Sequence, residues 1–241
     1  MRTELAMGQG KRAWVFGGSG AIGSEVVRDL RAQGCDVVFT YATRNDAAAA
    51  LAAATGARAL ALTFSDRASL HAALDAELGQ GRPDLIVHAA AISASVPLLE
   101  LNDTLWRNTL ATNAESVLWL TQWAAMRGLT PLDIVVTGGL DRTQSLPLPV
   151  HYAATQGMLS AMVMALGHEL GSSGVRINMV SFGVMNAGLS SSLASKSRSD
   201  YEHFSALRRV GTAAEGARVV TWLGLENTYI QGRVISVNGG I

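Results

Sequence analysis

The sequence contains a single cysteine, Cys35, among its 241 residues. This excludes a disulfide within the chain and agrees with a reducing compartment. Charged residues are also scarce, at 16% of the chain, and the formal net charge is zero. That balance gives no reason to expect a nucleic acid or an anionic membrane surface as a partner.

Long apolar runs and metal-binding patterns are missing as well. No segment approaches the ~20 apolar residues that span a bilayer, and residues 1–12 lack the apolar core of a signal peptide. We therefore expect a cytoplasmic protein that does not use a membrane. No cluster of cysteine and histidine has the spacing of metal ligands, so we expect no metal. Lysine occurs only at Lys11 and Lys196.

The abundant residues are typical of a globular α/β protein. Apolar residues make up 49% of the chain, and 25 glycines punctuate it. Strand-like runs alternate with helix-like runs throughout the sequence. The predicted strands are 14–16, 36–40, 58–62, 85–87, 134–137, 176–180 and 233–238, and helices are predicted after residue 20 and over 45–55, 67–78, 104–126, 151–170 and 213–223.

This alternation predicts one doubly wound parallel sheet of about seven strands, of the Rossmann type. Right-handed crossovers then place helices on both faces of the sheet. No linker and no internal repeat is visible, so we expect residues 1–241 to form a single domain. Residues 1–11 are expected to be a loose leader. Residues 184–210 are polar, serine-rich and aperiodic, which predicts a mobile flap over the substrate.

The most informative stretch runs from Trp14 to Gly23. An apolar strand leads into a turn with four glycines in seven residues, and a helix-like run follows. Such glycines let the backbone approach a ligand closely, and the start of a helix offers free N–H groups to phosphates. The pattern G-x-G-x-x-G in this position therefore predicts a dinucleotide diphosphate site. The alternative, an ordinary strand-to-helix turn, needs fewer glycines.

The end of the second predicted strand indicates which dinucleotide is bound. An acidic residue about 20 positions after the glycines would bind a ribose diol and indicate NAD(H). Residues 40–44 contain no carboxylate there, and Arg44 offers a guanidinium instead. Because a guanidinium can bind a 2′-phosphate, we expect NADP(H) rather than NAD(H). A plain surface arginine beside a helix start remains the alternative reading of Arg44.

From residue 13 to residue 241, the order of motifs resembles the short-chain dehydrogenase/reductase family, nearest its 3-oxoacyl-acyl-carrier-protein reductases. The matching stretches are the glycine-rich turn at 17–23, the segment 88–91, Asn113, the Tyr-x-x-x-Lys position at 152–156, Phe182-Gly183 and the tail 229–240.

The resemblance implies a strand order of 3-2-1-4-5-6-7 and a homotetramer or homodimer whose bundle uses helices 104–126 and 151–170. It implies catalytic roles for Tyr152, Asn113 and Gln156, and a small-molecule or acyl-carrier-bound substrate. The implied cofactor-binding residues are Gly17, Gly18, Ser19, Gly20, Ile22, Gly23, Tyr41, Arg44, Thr63, Phe64, Ala89, Ala90, Gly183 and Val184.

The chain departs from the family pattern at the catalytic positions. The family's serine lies 13 residues before the tyrosine, and the residue here is Gly139. The family's lysine corresponds to Gln156, and a threonine after the sixth strand corresponds to Ala187. An aspartate before the third helix corresponds to Thr63.

The change from lysine to Gln156 alters the expected chemistry of Tyr152. A tyrosine has an ordinary pKa of ~10, and a nearby ammonium lowers that pKa by stabilising the phenolate. Glutamine can still hydrogen-bond a ribose, but it supplies no charge. An arginine from residues 184–210 or Arg142 could replace the cation. Without such a cation we expect Tyr152 to stay neutral at pH 7, which suits proton donation in a reduction better than base catalysis in an oxidation.

Other polar residues have weaker claims to a function. We expect His151 to be a surface or interface histidine, because it neighbours Tyr152 on a helix but faces another way. His88 ends a strand and is expected to pack, although it could touch the cofactor. Asp141 and Arg142 follow Gly139, either as a solvated pair or as a replacement acid and cation.

Three functional hypotheses follow from these residues. The first is an NADPH-dependent ketoreductase for an acyl-thioester or polyketide-like carbonyl, with atypical acid catalysis. The second is a non-catalytic homologue that acts as a nucleotide-binding subunit, in a hetero-oligomer with an active relative. The third is a dehydratase, cyclase or isomerase that uses the same cleft without hydride transfer. The sequence favours the first narrowly over the second.

Overall fold

The computed structural model describes residues 7–139 and 148–241. Its strands are β1 (Arg12–Phe16), β2 (Asp36–Tyr41), β3 (Arg58–Ala61), β4 (Leu85–His88), β5 (Leu132–Gly139), β6 (Val175–Phe182) and β7 (Val234–Val237). Its α-helices are α1 (Ala21–Ala32), α2 (Asn45–Thr55), α3 (Arg67–Leu78), α4 (Asp103–Leu110), α5 (Ser116–Met126), α6 (Val150–Leu170), α7 (Ser195–Phe204) and α8 (Ala213–Leu225).

Within the described residues, seven strands form one sheet in the order β3-β2-β1-β4-β5-β6-β7. Every neighbouring pair is parallel. Val15 in β1 lies beside Phe39 in β2 and Val87 in β4. The predicted fold class and strand order are therefore confirmed.

The alternation of side chains along the strands divides the core into two layers. Val15 belongs to a buried cluster with side chains of α1, α2 and α8. Its neighbour Trp14 belongs to the opposite cluster, with side chains of α3, α5 and α6. Helices therefore cover both faces of the sheet, which is why the strands are apolar on both sides.

The parallel strands end along one edge of the sheet, and the candidate motifs meet there. The glycine-rich turn follows β1, Ala89 follows β4, and Gly183 follows β6. β5 is longer than predicted, because Gly138 and Gly139 pair in register with Ser181 and Phe182 of β6. The two glycines are therefore part of a strand rather than of the loop that follows it.

The helix predicted over 104–126 is interrupted. Ala111–Glu115 form a π-helical turn between α4 and α5. Such turns are rare and are found frequently at functional sites.

The serine-rich segment is more ordered than its sequence predicts. It contains a 3₁₀ turn at Gly188–Ser192 and then α7. Tyr201 anchors α7, because its side chain is buried and its hydroxyl donates to the carbonyl oxygen of Asn238 at 2.6 Å. α7 buries few side chains, so no apolar period marks this helix in the sequence. The predicted role of the segment as a mobile flap over the substrate stays a prediction.

The predicted leader is only partly described, since its first six residues lie outside the described ranges. Gly8 is buried, and its N–H donates to the carbonyl oxygen of Gln33 at 3.0 Å. This part of the leader therefore packs against the fold. No helix in the described parts of the chain is long and apolar enough to cross a membrane.

Candidate active site

The glycine-rich turn is fixed to the end of β2. The N–H of Gly17 donates to Thr40 Oγ1 at 3.0 Å, and the N–H of Gly18 donates to the carbonyl oxygen of Thr40 at 2.9 Å. Gly17 has a φ of +78°, and a Cβ there would lie 2.6 Å from the Cα of Ala90. Glycine is thus required both for the backbone conformation and for the close approach of the loop after β4.

The same turn brings α1 close to the strand. A Cβ on Gly23 would lie 2.2 Å from the carbonyl oxygen of Gly17, so only glycine fits between the helix and the turn. Gly20 is the N-cap of α1 and has no side chain to cap it. The first N–H groups of α1 therefore have no intrahelical partner and point outward at the positive end of the helix dipole. These features match a diphosphate site.

A cleft runs from this turn towards α6. Among the residues predicted to bind a cofactor, five line it: Gly20, Ile22, Arg44, Ala89 and Gly183. Its far wall is formed by Gly138, Gly139, Tyr152 and Phe182. The structure therefore joins the glycine-rich turn and the candidate catalytic tyrosine through one continuous space.

The other predicted cofactor residues lie around this cleft without lining it. Gly17, Gly18 and Gly23 shape the turn from within, and Val184 lines a neighbouring pocket. Phe64 packs against Phe16 and His88, with ring centroids 6.2 and 5.5 Å away. The remaining predicted positions outside the cleft lining are Ser19, Tyr41, Thr63 and Ala90.

Arg44 places a cation at the rim of the cleft. It is exposed and forms the N-cap of α2, directly after the end of β2. Among the described residues, no carboxylate forms an ion pair with its guanidinium. The guanidinium therefore remains available to an anionic ligand in the cleft.

Tyr152 lies where the cleft meets a second pocket. Both spaces are lined by Gly139, Tyr152, Phe182, Gly183, Leu189 and Ser190. A Cβ on Gly139 would lie 3.0 Å from the phenol oxygen of Tyr152, which therefore occupies much of the space beside the bare strand. Tyr152 is only 9% exposed, and burial raises its pKa to about 12. The phenol is thus neutral at pH 7.

Gln156 is turned towards the sheet. Its Oε1 accepts a hydrogen bond from the N–H of Gly139 at 2.9 Å, and its side chain is buried. Among the described residues, the one hydrogen-bond partner of its Nε2 is Thr155 Oγ1, at a long 3.4 Å. A lysine could not accept the Gly139 hydrogen bond, because an ammonium has no acceptor. The predicted role of Gln156 in orienting a ribose stays a prediction, since Gln156 does not line the cleft.

Asn113 joins the loop after β4 to α6. Its Oδ1 accepts from the N–H of Ile92 at 2.8 Å, and its Nδ2 donates to the carbonyl oxygen of Ile92 at 2.9 Å. The Nδ2 also donates to Thr155 Oγ1 at 3.2 Å. Asn113 sits in the π-helical turn between α4 and α5, and its contacts fix the geometry of the loop and the helix.

The second pocket was not foreseen as a separate feature. Its walls include the side chains of Ser93, Ser95, Pro149, Val184 and Leu193. The 3₁₀ turn at Gly188–Ser192 borders both this pocket and the cleft. A Cβ on Gly188 would lie 3.2 Å from the Cβ of Ala21, so this turn also reaches the start of α1. The sequence shows only a serine cluster here.

The expectation that His151 lies at a surface or interface is not met within this chain, because its side chain is fully buried. The N–H of Ala94 approaches its Nε2 at 3.4 Å, and burial lowers its pKa. His88 packs as expected: it is buried against Phe16, its Nε2 lies 2.8 Å from Ser116 Oγ, and burial lowers its pKa to about 4. Neither histidine lines the cleft or the second pocket.

Neither lysine stands in for the family's catalytic cation. Lys11 precedes β1, at the amino-terminal ends of the strands and so away from the cleft. Its Nζ donates to the carbonyl oxygen of Leu225 at 3.0 Å. Lys196 is exposed on α7 and lines neither space. Asp141 and Arg142, the other candidates for a replacement acid and cation, lie outside the described residues. Within 7–139 and 148–241, no group of three His, Cys, Asp or Glu side chains could hold a metal ion.

Comparisons with known proteins agree with this architecture. A family model described as enoyl-(acyl carrier protein) reductase matches residues 18–241. The chain is 31% identical to the 3-oxoacyl-acyl-carrier-protein reductase FabG of Escherichia coli, over 97% of this chain and 98% of that protein. It is 30% identical to the cyclic-di-GMP-binding biofilm dispersal mediator protein of E. coli, over 95% of this chain and 96% of that protein.

Among solved structures, the crystal structure of BdcA in complex with NADPH is similar to this chain. The TM-score is 0.89 and the sequence identity 28%, over 98% of this chain and 96% of that one.

The contact between Gln156 and Gly139 yields a stability prediction. Gln156→Lys removes the acceptor of the Gly139 N–H and buries an ammonium, so we expect a loss of at least about 1–3 kcal/mol of unfolding free energy. Urea unfolding measures this loss. Gln9→Lys, in an exposed turn before β1, is the matched control and should change stability by less than about 0.5 kcal/mol. A Gln156→Lys protein as stable as the unaltered chain would contradict the assignment.

Proposed function

The chain belongs to the short-chain dehydrogenase/reductase family, and we propose that it is an NADPH-dependent reductase of a carbonyl on an acyl thioester or a polyketide-like chain. The observation that carries this proposal is the continuous cleft between the uncapped start of α1 and the neutral phenol of Tyr152. The family model and FabG both carry acyl carrier protein in their descriptions, which supports an acyl-carrier-bound substrate. The fold alone would not support a substrate class.

The residues of the cleft fit a dinucleotide. Gly17 and Gly23 let the turn after β1 pack tightly where a Cβ would clash, and the first N–H groups of α1 are free for a diphosphate. Gly20, Ile22 and Ala89 would line the bound molecule. NADPH, when bound, supplies the hydride for carbonyl reduction.

Tyr152 supplies the proton in this proposal. Its phenol lies at the junction of the cleft and the second pocket, where a carbonyl oxygen would meet it. Because the phenol is protonated at neutral pH, it can donate to an alkoxide that develops during reduction. Asn113 holds the loop after β4 against α6, and Gln156 holds the end of β5, so both act as positioning residues.

A second candidate function is binding without catalysis. Gly139 and Gln156 remove a hydroxyl and a cation from the family's catalytic pattern. The similar E. coli mediator protein is named for binding cyclic-di-GMP rather than for a reaction. These observations favour a nucleotide-binding subunit, alone or with an active homologue, as the runner-up.

The choice between the cofactors depends on Arg44. Arg44→Ala removes the guanidinium that would bind a 2′-phosphate, a charge-assisted contact worth about 1.5–3 kcal/mol. We expect the affinity for NADPH to fall about 10- to 100-fold and that for NADH to stay within about 3-fold. Isothermal titration with each nucleotide measures both.

Arg218→Ala is the control for Arg44, because Arg218 is exposed on α8 and does not line the cleft. Equal losses for the two nucleotides in Arg44→Ala would contradict the assignment of a 2′-phosphate site. If the unaltered protein bound neither nucleotide, the proposed function itself would be wrong.

The proton donor is tested with Tyr152→Phe. We expect NADPH oxidation with a β-ketoacyl thioester to fall about 10²–10⁴-fold, because the general acid is lost. In the unaltered protein, ionisation of Tyr152 should not lower the rate of reduction up to pH 10, because the pKa of Tyr152 is about 12. Alcohol oxidation by NADP⁺ should keep rising with pH beyond 10, because it needs the phenolate. Absorbance at 340 nm follows both reactions.

Tyr229→Phe is the matched control, since Tyr229 is 96% exposed and outside the cleft. Equal rates in Tyr152→Phe and the unaltered protein would eliminate Tyr152 as the acid. Tight NADPH binding without any turnover would favour the non-catalytic alternative, and product formation without any nicotinamide would favour a dehydratase, cyclase or isomerase.

We also propose that copies of this chain assemble through α4, α5 and α6. Apolar side chains are exposed on α5 and α6: Leu118 (39%), Met126 (63%) and Met164 (47%). Sedimentation velocity should give a mass two or four times that of the 25.3 kDa chain. Met164→Lys should shift the distribution towards smaller species, because burying an unpaired charge in an interface is costly. A monomer in the unaltered protein would contradict this proposal.

A further inference from the structure

The family pattern provides two hydroxyls, and this chain keeps only that of Tyr152, because position 139 is a glycine. Among the described residues, Tyr152 and Ser190 alone contribute a hydroxyl to the lining of both the cleft and the second pocket. Gly139 has no side chain, and the phenol oxygen lies 3.0 Å from the position of the missing Cβ. If the substrate carbonyl receives a second hydrogen bond from a side chain, that side chain belongs to another element. The 3₁₀ turn at Gly188–Ser192 borders both the cleft and the second pocket, and it contains three serines.

The hydrogen bonds of these serines distinguish Ser190 from its neighbours. Ser191 donates its hydroxyl to the carbonyl oxygen of Gly188, and Ser192 donates to that of Leu189 at 2.9 Å. Their protons are therefore used within the turn. Ser190 Oγ instead accepts a hydrogen bond, from the N–H of Met185 at 3.2 Å. Within the described residues its hydroxyl proton has no acceptor, so it remains free to donate.

The position of Ser190 Oγ is well supported by the backbone. Met185 is buried, and the adjacent N–H of Asn186 donates to the carbonyl oxygen of Gly211 at 2.8 Å. The N–H of Gly211 donates in turn to the carbonyl oxygen of Val184 at 3.0 Å. The hydrogen bond from Met185 thus holds the Ser190 oxygen against a fixed segment at the end of β6. A donor held in advance stabilises a developing negative charge without a reorganisation cost.

We propose that Ser190 is the second hydroxyl donor to the carbonyl oxygen of the substrate. It would take over the role of the family's serine, whose position is occupied by Gly139 in this chain. The proposal rests on the proposed reductase function. Ser190 and Tyr152 both line the cleft and the second pocket, so a carbonyl at their junction can receive a hydrogen bond from each. In the reduction, the phenol gives up its proton, whereas Ser190 keeps its proton and only donates a hydrogen bond.

The test compares Ser190→Ala with Ser191→Ala, which alters the same turn but lies outside both linings. We expect Ser190→Ala to lower kcat/KM for a β-ketoacyl thioester on the order of 10²-fold, as loss of an oxyanion donor does. Its affinity for NADPH should stay unchanged. Ser190→Thr keeps the hydroxyl and should recover most of the activity, and Ser191→Ala should stay within about 3-fold of the unaltered protein.

A binding measurement gives a readout that does not require turnover. With NADP⁺ bound, which cannot reduce the ketone, the affinity for the β-ketoacyl thioester is measured by calorimetry. Ser190→Ala should weaken the affinity for the thioester about 3- to 10-fold, which corresponds to the loss of one neutral hydrogen bond.

The outcomes separate the two proposals. If the unaltered protein reduces the thioester and Ser190→Ala does so equally well, Ser190 is not the donor and the reductase function stands. If Ser190→Ala loses affinity for NADPH instead of for the thioester, Ser190 contacts the cofactor and the proposal is wrong. If the unaltered protein binds NADPH without reducing the thioester, the reductase function fails. In that case the calorimetric measurement still tests Ser190: equal affinity for the thioester in the unaltered protein and in Ser190→Ala would show that Ser190 is not a donor.

Discussion

The close packing of the Tyr152 phenol against the backbone of Gly139 is the contact on which the rest of the site depends. A side chain at position 139 would begin 3.0 Å from the phenol oxygen. The N–H of the same glycine is held by Gln156 Oε1, which a lysine could not replace as an acceptor. The two departures from the family pattern are therefore linked physically. The glycine makes room for the phenol, and the glutamine fixes the strand end on which that room depends.

Much of the fold was predictable, because it follows from local patterns. Val15 and Trp14 point to opposite faces of β1, and each joins a separate apolar cluster. The strand-helix alternation then leaves few topologies once right-handed crossovers are required. The glycine-rich turn was equally predictable, because Gly17 and Gly23 are each required by a steric contact that no other residue tolerates.

The parts that escaped prediction depend on tertiary contacts. Nothing in the sequence around Gln156 says whether its amide faces the cleft or the sheet, since that depends on the position of the Gly139 N–H. α7 was missed because Tyr201 is its buried residue, and one buried side chain gives no period. The role assigned to Ser190 depends on which hydroxyl of a serine cluster accepts from Met185, and three similar residues in a row cannot reveal that.

In the proposed reductase, the protonation of Tyr152 decides which direction of the reaction is favoured kinetically at neutral pH. Among the described groups, burial alone raises the pKa of this phenol, to about 12, so the phenol is protonated at pH 7. An ammonium at position 156 would oppose burial, and the glutamine does not. The protein cannot alter the equilibrium between ketone and alcohol. In the proposed reductase, burial keeps Tyr152 protonated across the physiological range, whereas the phenolate that an oxidation would need becomes abundant only in strong alkali.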